Sequence, residues 1–225
     1  MIKANCPFKS VIISPLWPLR YIFWEIIVIP PCNKRFFLYF VVMNSASNRR
    51  KFLLDLMSQL DGQKVNCSSC LGTCCTFQAN SMQITPLEGV EILTYLKESN
   101  RLDDSLKEKL KRCVADYRLN VEISTSRGRA FRKTYTCPFF TPGPKGCSLP
   151  KDVNPYGCLG FNPKVMGVKN GGNCSLQEDV AQLREEKFKT YEMKINQRLR
   201  EAYDLSWYKT SIPQALLSLW GKRGI

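Results

Sequence analysis

The chain has 225 residues, 44% hydrophobic and 23% charged, a globular composition that excludes a disordered or fibrous chain. Its net charge of +14, from 33 Lys and Arg against 19 Asp and Glu, permits contact with an acidic protein or nucleic acid without choosing between them. Eleven cysteines cannot all pair internally, and the lack of any histidine excludes mixed Cys/His metal sites and Ser-His or Cys-His catalytic pairs.

Residues 1–42 differ from everything after them. Pro15, Pro18, Arg20, Glu25 and Pro30 interrupt their apolar runs, so neither a signal peptide nor a spanning helix fits, and no stable membrane span is expected. We read this stretch as an over-extended translation start or an apolar leader. The character changes at Met43, where "MNSASNRRKFLLDLMSQL" places Phe52, Leu53, Leu56, Met57 and Leu60 at helical spacing.

Further along, "TPLEGVEILTYLKES" carries a strong helix start. Thr85 is the N-cap, Pro86 the first helical residue and Glu88 the partner in a capping box, with Val90, Leu93 and Leu96 facing inward. A second helix is predicted from about Asp104, with Leu106, Leu110, Cys113, Val114 and Tyr117 on one stripe. On that stripe Cys113 reads as a small buried core residue rather than a ligand.

Residues 121–136 read as a short β-hairpin around "SRG". Arg127, Arg129, Arg132 and Lys133 alternate there with aromatics, a pattern that can meet phosphates and bases but more commonly protects a solvated strand edge. From Cys137 to Cys174, prolines and glycines exclude long helices and leave an irregular segment of the kind that a metal or cross-link organises. Next comes a long amphipathic helix in "SLQEDVAQLREEKFKTYEMKINQRLREAYDL", with Val180, Leu183, Phe188, Tyr191, Ile195, Leu199 and Ala202 as its apolar positions. The closing "SIPQALLSLW" opens with an S-x-x-Q cap and a proline.

The fold class expected from these elements is α-rich α+β. A cysteine-cluster domain spans 43–175, with helices, a short hairpin and the irregular segment, and a C-terminal helical segment at 176–225 packs on it.

Cysteine placement is the strongest chemical signal. "CSSCLGTCC" puts Cys67, Cys70, Cys74 and Cys75 within nine positions, and Cys137, Cys147 and Cys158 follow in the irregular segment. Thiolates two residues apart on a turn can reach one ion without strain, as in zinc and iron–sulfur sites. Neighbouring side chains tend to diverge, so Cys74 and Cys75 are expected to serve different ligand sets. One site or two remains open at this level, as does the role of Cys174. Soft sulfur ligands select zinc, iron–sulfur or Cu(I).

The order "CSSCLGTCC", "QITPLEGVEI", "CPFF", "GCSLP" and "NPYGCLGF" resembles the YkgJ-like cysteine-cluster family over about residues 65–162. That family is described as a zinc- or iron-chelating domain with a CxxCxxCC signature, and flagellin lysine N-methylases carry a related cluster. The resemblance implies ligand roles for Cys67, Cys70, Cys74, Cys75, Cys137, Cys147 and Cys158. Here three residues, not two, precede the cysteine pair, and Asn154 and Leu159 stand where the family has arginines.

A metal-binding protein holding zinc, iron or an iron–sulfur cluster is the function expected first. An iron–sulfur redox or methyl-transfer enzyme comes second, without a Gly-rich nucleotide loop to support it. A zinc-stabilised nucleic-acid module comes third. With no export signal and an odd cysteine count, the expected location is the cytoplasm.

Overall fold

The computed structural model describes residues 72–123, 131–142, 146–163, 174–176 and 178–222, with Asp55 and Ser58 beside them; all fall within the unit Asn33–Ile225. The leader 1–42, the arginines Arg127 and Arg129, and the first two cysteines of the cluster lie outside the described residues, as do Phe52, Leu53, Leu56, Met57 and Leu60 of the first expected helix. Asp55 and Ser58 are helical and exposed.

Four of the described helices contribute to the core. Helix α1, Pro86–Glu98, starts as its sequence dictates. The Thr85 hydroxyl accepts from the Glu88 amide, and the Glu88 carboxylate accepts from the Thr85 amide at 2.8 Å. Nearly every face of α1 is covered: Val90, Leu93 and Leu96 are buried as expected, and Glu88, Glu91 and Thr94 are buried with them. Helix α2, Asp104–Asp116, is capped by Asp103, whose Oδ1 accepts from the Leu106 amide at 2.7 Å. Leu110 and Cys113 are its buried residues. After the short α3, Tyr156–Leu159, comes the 26-residue helix α4, Glu178–Tyr203, and then α5, Ile212–Leu219.

The sides of α4 differ from the expected stripe. Glu192, Ile195, Leu199 and Tyr203 are buried, whereas Tyr191 and Ala202 are exposed; the side chains of Val180, Leu183 and Phe188 lie outside the described residues. Spacing of 3, 4 and 4 residues keeps the buried set on one face, and Tyr191 and Ala202 sit at the same edge of it, beyond Ile195. Asn196 anchors α4 to α1, its Oδ1 accepting from the Leu87 amide at 2.9 Å.

Helix α5 packs on both α1 and α2 and contributes Ile212, Ala215, Leu216 and Leu219 to the core. A Cβ at Gly89 would come within 2.8 Å of Leu219 Cδ1, so glycine there lets α1 and α5 approach closely. The cap of α5 is not the one expected: the Ser211 hydroxyl donates to the Gln214 side chain at 2.7 Å and makes no bond to the helix amides. Gln214 in turn donates to the Leu119 carbonyl at 3.1 Å, tying α5 to the end of α2.

Helices α1, α2 and α4 end alike, on non-glycine residues with positive φ: Asn100 (54°), Arg118 (49°) and Asp204 (51°). In each case the next amide reaches back five residues, Arg101 to Leu96, Leu119 to Val114 and Leu205 to Arg200, which is the Schellman closure.

Among the described residues the β content is small and lies outside the hairpin expected at 121–136, whose residues 124–130 are not described. β1 (Gln83–Ile84) pairs antiparallel with β4 (Thr210–Ser211), and β2 (Phe161–Pro163) with β3 (Cys174–Leu176). Residues 121–123 and 131–137 are not strands, although the Phe131 amide donates to the Ile123 carbonyl at 2.8 Å. The extended run 131–137 pairs instead with the chain just after Cys75: the Tyr135 and Cys137 amides donate to Asn80 (2.9 Å) and Cys75 (2.7 Å). Backbone donors that could have built a hairpin ladder are spent on that segment. No helix among the described residues is long and apolar enough to cross a membrane.

Candidate metal centre

Five of the seven expected ligands are described, and they come from three stretches of chain. Cys74 and Cys75 lie on the 3-10 turn Thr73–Cys75, closed by the Cys75 amide donating to the Gly72 carbonyl at 2.8 Å. Cys137 ends the extended run and is held to that turn by its own amide on the Cys75 carbonyl at 2.7 Å. Cys147 returns beside it in a tight loop, bridging to Phe140, with the Ser148 amide on the Phe139 carbonyl at 2.8 Å. Cys158 sits in α3, its amide donating to the Pro155 carbonyl at 2.9 Å.

Two glycines allow the turn and the loop to touch. Gly72 and Gly146 have φ of 78° and 53°, and a Cβ on Gly72 would lie 2.6 Å from the Phe140 ring and 3.1 Å from Gly146 Cα. Only a residue without a side chain accepts both the left-handed backbone and the close approach.

Asn80 locks the same region from below. Its Nδ2 donates to the Tyr135 carbonyl at 2.9 Å while its Oδ1 accepts from the Met82 amide at 3.0 Å. The Tyr135 hydroxyl donates to the Met82 carbonyl at 2.7 Å and accepts from the Ile212 amide at 3.1 Å, linking this floor to α5.

All five described ligand candidates, and Cys113, are free thiols. Cys137 is buried, and the other four are half-buried. Burial pushes the Cys137 thiol up to about 12, with the neighbouring Cys147 and Cys113 adding to the rise. Burial also raises Cys158 well above its ordinary value, helped by Cys137, Cys147 and Cys74, and raises Cys147, helped by Cys74. Cys74 is pushed up chiefly by its hydrogen bond with Cys75 and then by burial. The adjacent pair shares one 3-10 turn, Thr73–Cys75.

These couplings have one physical meaning. A charge on Cys74 opposes ionisation of Cys147 and Cys158, and charges on Cys137 and Cys147 oppose ionisation of Cys158. The donor set, all sulfur and partly accessible, fits a soft divalent ion or an iron–sulfur cluster. Among the described residues no group of three or more Cys, Asp or Glu is arranged to hold an ion by itself. Cys67 and Cys70 lie outside the described residues, and the backbone of Cys174 lies in β3 opposite Pro163.

Other expectations meet different outcomes. Cys113 faces the core, its thiol donating to the Thr136 carbonyl at 3.4 Å. Lys133, expected chiefly on a solvated strand edge, donates to the Arg118 and Val121 carbonyls after α2; Arg132 is exposed. Asn154, at an arginine position of the resembling family, accepts from the Cys147 thiol at 3.6 Å.

Two residues near the cluster carry roles that sequence reading missed. Arg101 donates to the Ser148 carbonyl (2.9 Å) and hydroxyl (3.0 Å), clamping the Cys147 loop, and its charge favours the Cys147 thiolate against the burial that opposes it. Glu88, legible only as a cap, also accepts from the Tyr156 amide at 3.0 Å across 68 residues of chain. No local signal could have revealed either contact, since both partners are distant in sequence.

No family model, curated protein or solved structure matches the chain.

Proposed function

We propose that the chain is a cytoplasmic metal-binding protein whose cysteine cluster chelates zinc or iron, the iron either as an ion or within an iron–sulfur cluster. The proposed ligands are Cys67, Cys70, Cys74, Cys75, Cys137, Cys147 and Cys158. One observation supports the reading: Cys137, distant in sequence, is held to the Cys74–Cys75 turn by its amide, 2.7 Å from the Cys75 carbonyl, and Cys147 pairs with Phe140 three residues further on. Core formation alone does not require half-buried thiols in these segments, and a bound cation would repay their ionisation. Reduced thiols in this number suit a reducing compartment.

Metal analysis of protein purified anaerobically from metal-replete cells, together with an ultraviolet–visible spectrum, tests the proposal. Stoichiometric zinc in colourless protein identifies a zinc site, and brown protein with iron and sulfide identifies a cluster. Protein that is folded yet takes up neither metal overturns the reading.

A further inference from the structure

We propose that Glu88 is a positioning residue for the thiol cluster: its buried carboxylate joins the cap of α1 to the first amide of α3 and so sets where Cys158 lies. The inference rests on the metal-binding reading and adds a residue outside its cysteine set.

Helix α3 cannot organise itself. It has four residues, Tyr156–Leu159, and its N-cap, Pro155, makes no side-chain cap bond. One turn is too short to be stable alone, so its position must be imposed by tertiary contacts. Glu88 supplies such a contact from a rigid element. It is 3% exposed, and its Oε2 accepts from the Thr85 amide at 2.8 Å and the Thr85 hydroxyl at 2.9 Å. Its Oε1 accepts from the Tyr156 amide at 3.0 Å. Cys158 follows two residues later.

Both oxygens are committed, so the chemistry requires a carboxylate. A glutamine has one acceptor oxygen, and its amide would turn an N–H towards either Thr85 or Tyr156. The charge itself is not the benefit. After burial and the neighbouring cysteines, Glu88 is a further influence pushing the Cys158 thiol up, so it opposes the thiolate that a metal needs. What it contributes is placement, the job that outer partners of metal ligands commonly perform.

The test compares wild type, Glu88→Gln, Glu88→Asp and Thr85→Ala as full-length apo protein prepared anaerobically. Thr85→Ala weakens the same cap and leaves the Glu88–Tyr156 bond in place, so it controls for general loosening of α1. Zinc affinity is read by competition with a chromophoric chelator, and Cys158 accessibility by the rate of iodoacetamide labelling mapped to its peptide. The expected result is a ~10–100-fold loss of zinc affinity in Glu88→Gln, with faster labelling of Cys158 and near-wild-type behaviour of Thr85→Ala. Should Glu88→Gln not fold, Glu88→Asp, which keeps the charge but is one methylene too short to span both partners, must show the same two effects. Wild-type affinity with an unchanged labelling rate in the folded Glu88 variant overturns the proposal, as does Thr85→Ala reproducing its effects. If wild type binds neither zinc nor iron, the metal-binding reading fails, and the labelling rate alone decides whether Glu88 positions Cys158.

Discussion

Cys113 and Cys137 meet at Thr136 and are both buried, but they are engaged differently. The Cys113 thiol is spent on the Thr136 carbonyl from inside the helical core, whereas Cys137 is joined through its backbone to the Cys74–Cys75 turn. Replacing Cys113 with alanine should cost about 1 kcal/mol in urea unfolding and leave metal content unchanged. Cys137→Ala should abolish stoichiometric metal in elemental analysis. Equal metal loss in both would remove the distinction. At Gly72, alanine must enter a left-handed backbone at φ 78° with its Cβ against the Phe140 ring. Gly72→Ala should therefore lose about 1–3 kcal/mol of stability by the same measurement. The nine-position cysteine cluster was legible as chemistry, but Gly72 and Gly146 looked like ordinary flexible residues. Their mutual approach exists only once the turn and the Cys147 loop have met.

The helices were legible to the degree that their signals are local. Thr85, Pro86 and Glu88 lie within four residues, so the start of α1 could be placed from the chain alone. Thr85→Ala should cost about 1 kcal/mol in thermal or urea unfolding, and a neutral result would show that the cap is redundant. In α4 the existence of the helix was legible and its inner face was not. Several apolar residues offer competing stripes, and packing against α1 chose the one through Ile195 and Leu199, both nearly solvent-free. Leu199→Ala should lose about 2–5 kcal/mol, while Met193→Ala, at a position 61% exposed, should stay within about 0.5 kcal/mol. The reverse order would mean that the other face is the buried one. The described arms of the hairpin expected at 121–136 are not strands: β-prone residues mark extended chain but do not name its partner, and the run 131–137 pairs with the segment after Cys75.

At the scale of the whole molecule, Cys137, Leu149 and Val153 of the proline- and glycine-rich stretch pack into the helical core that Ile84, Leu93, Leu110, Leu199 and Leu216 share. A metal bound across Cys75, Cys137 and Cys158 would link the two, so its binding free energy would add to stability. Chelator-treated protein should melt at a lower temperature than the metal-loaded form; identical melting would show that the metal contributes nothing to the fold. The apo protein should also weaken in alkali. The Cys137 thiol keeps its proton up to about 12 in the folded chain against an ordinary value of 9.0. Between those values the unfolded chain binds fewer protons, so stability falls as pH rises. Urea titrations of the apo form across that range would check the sign.

From residue order alone came an α-rich fold, the start of α1, and the exclusion of histidine from any ligand set. These follow from local preferences and from composition, which need no knowledge of neighbours. Tertiary structure supplied the partner of the run 131–137, the inner face of α4, the contact between Gly72 and Gly146, and the bond from Glu88 to Tyr156. Each of those joins residues far apart in sequence, and such pairings depend on shape and on the competition for backbone donors, which only the assembled chain resolves.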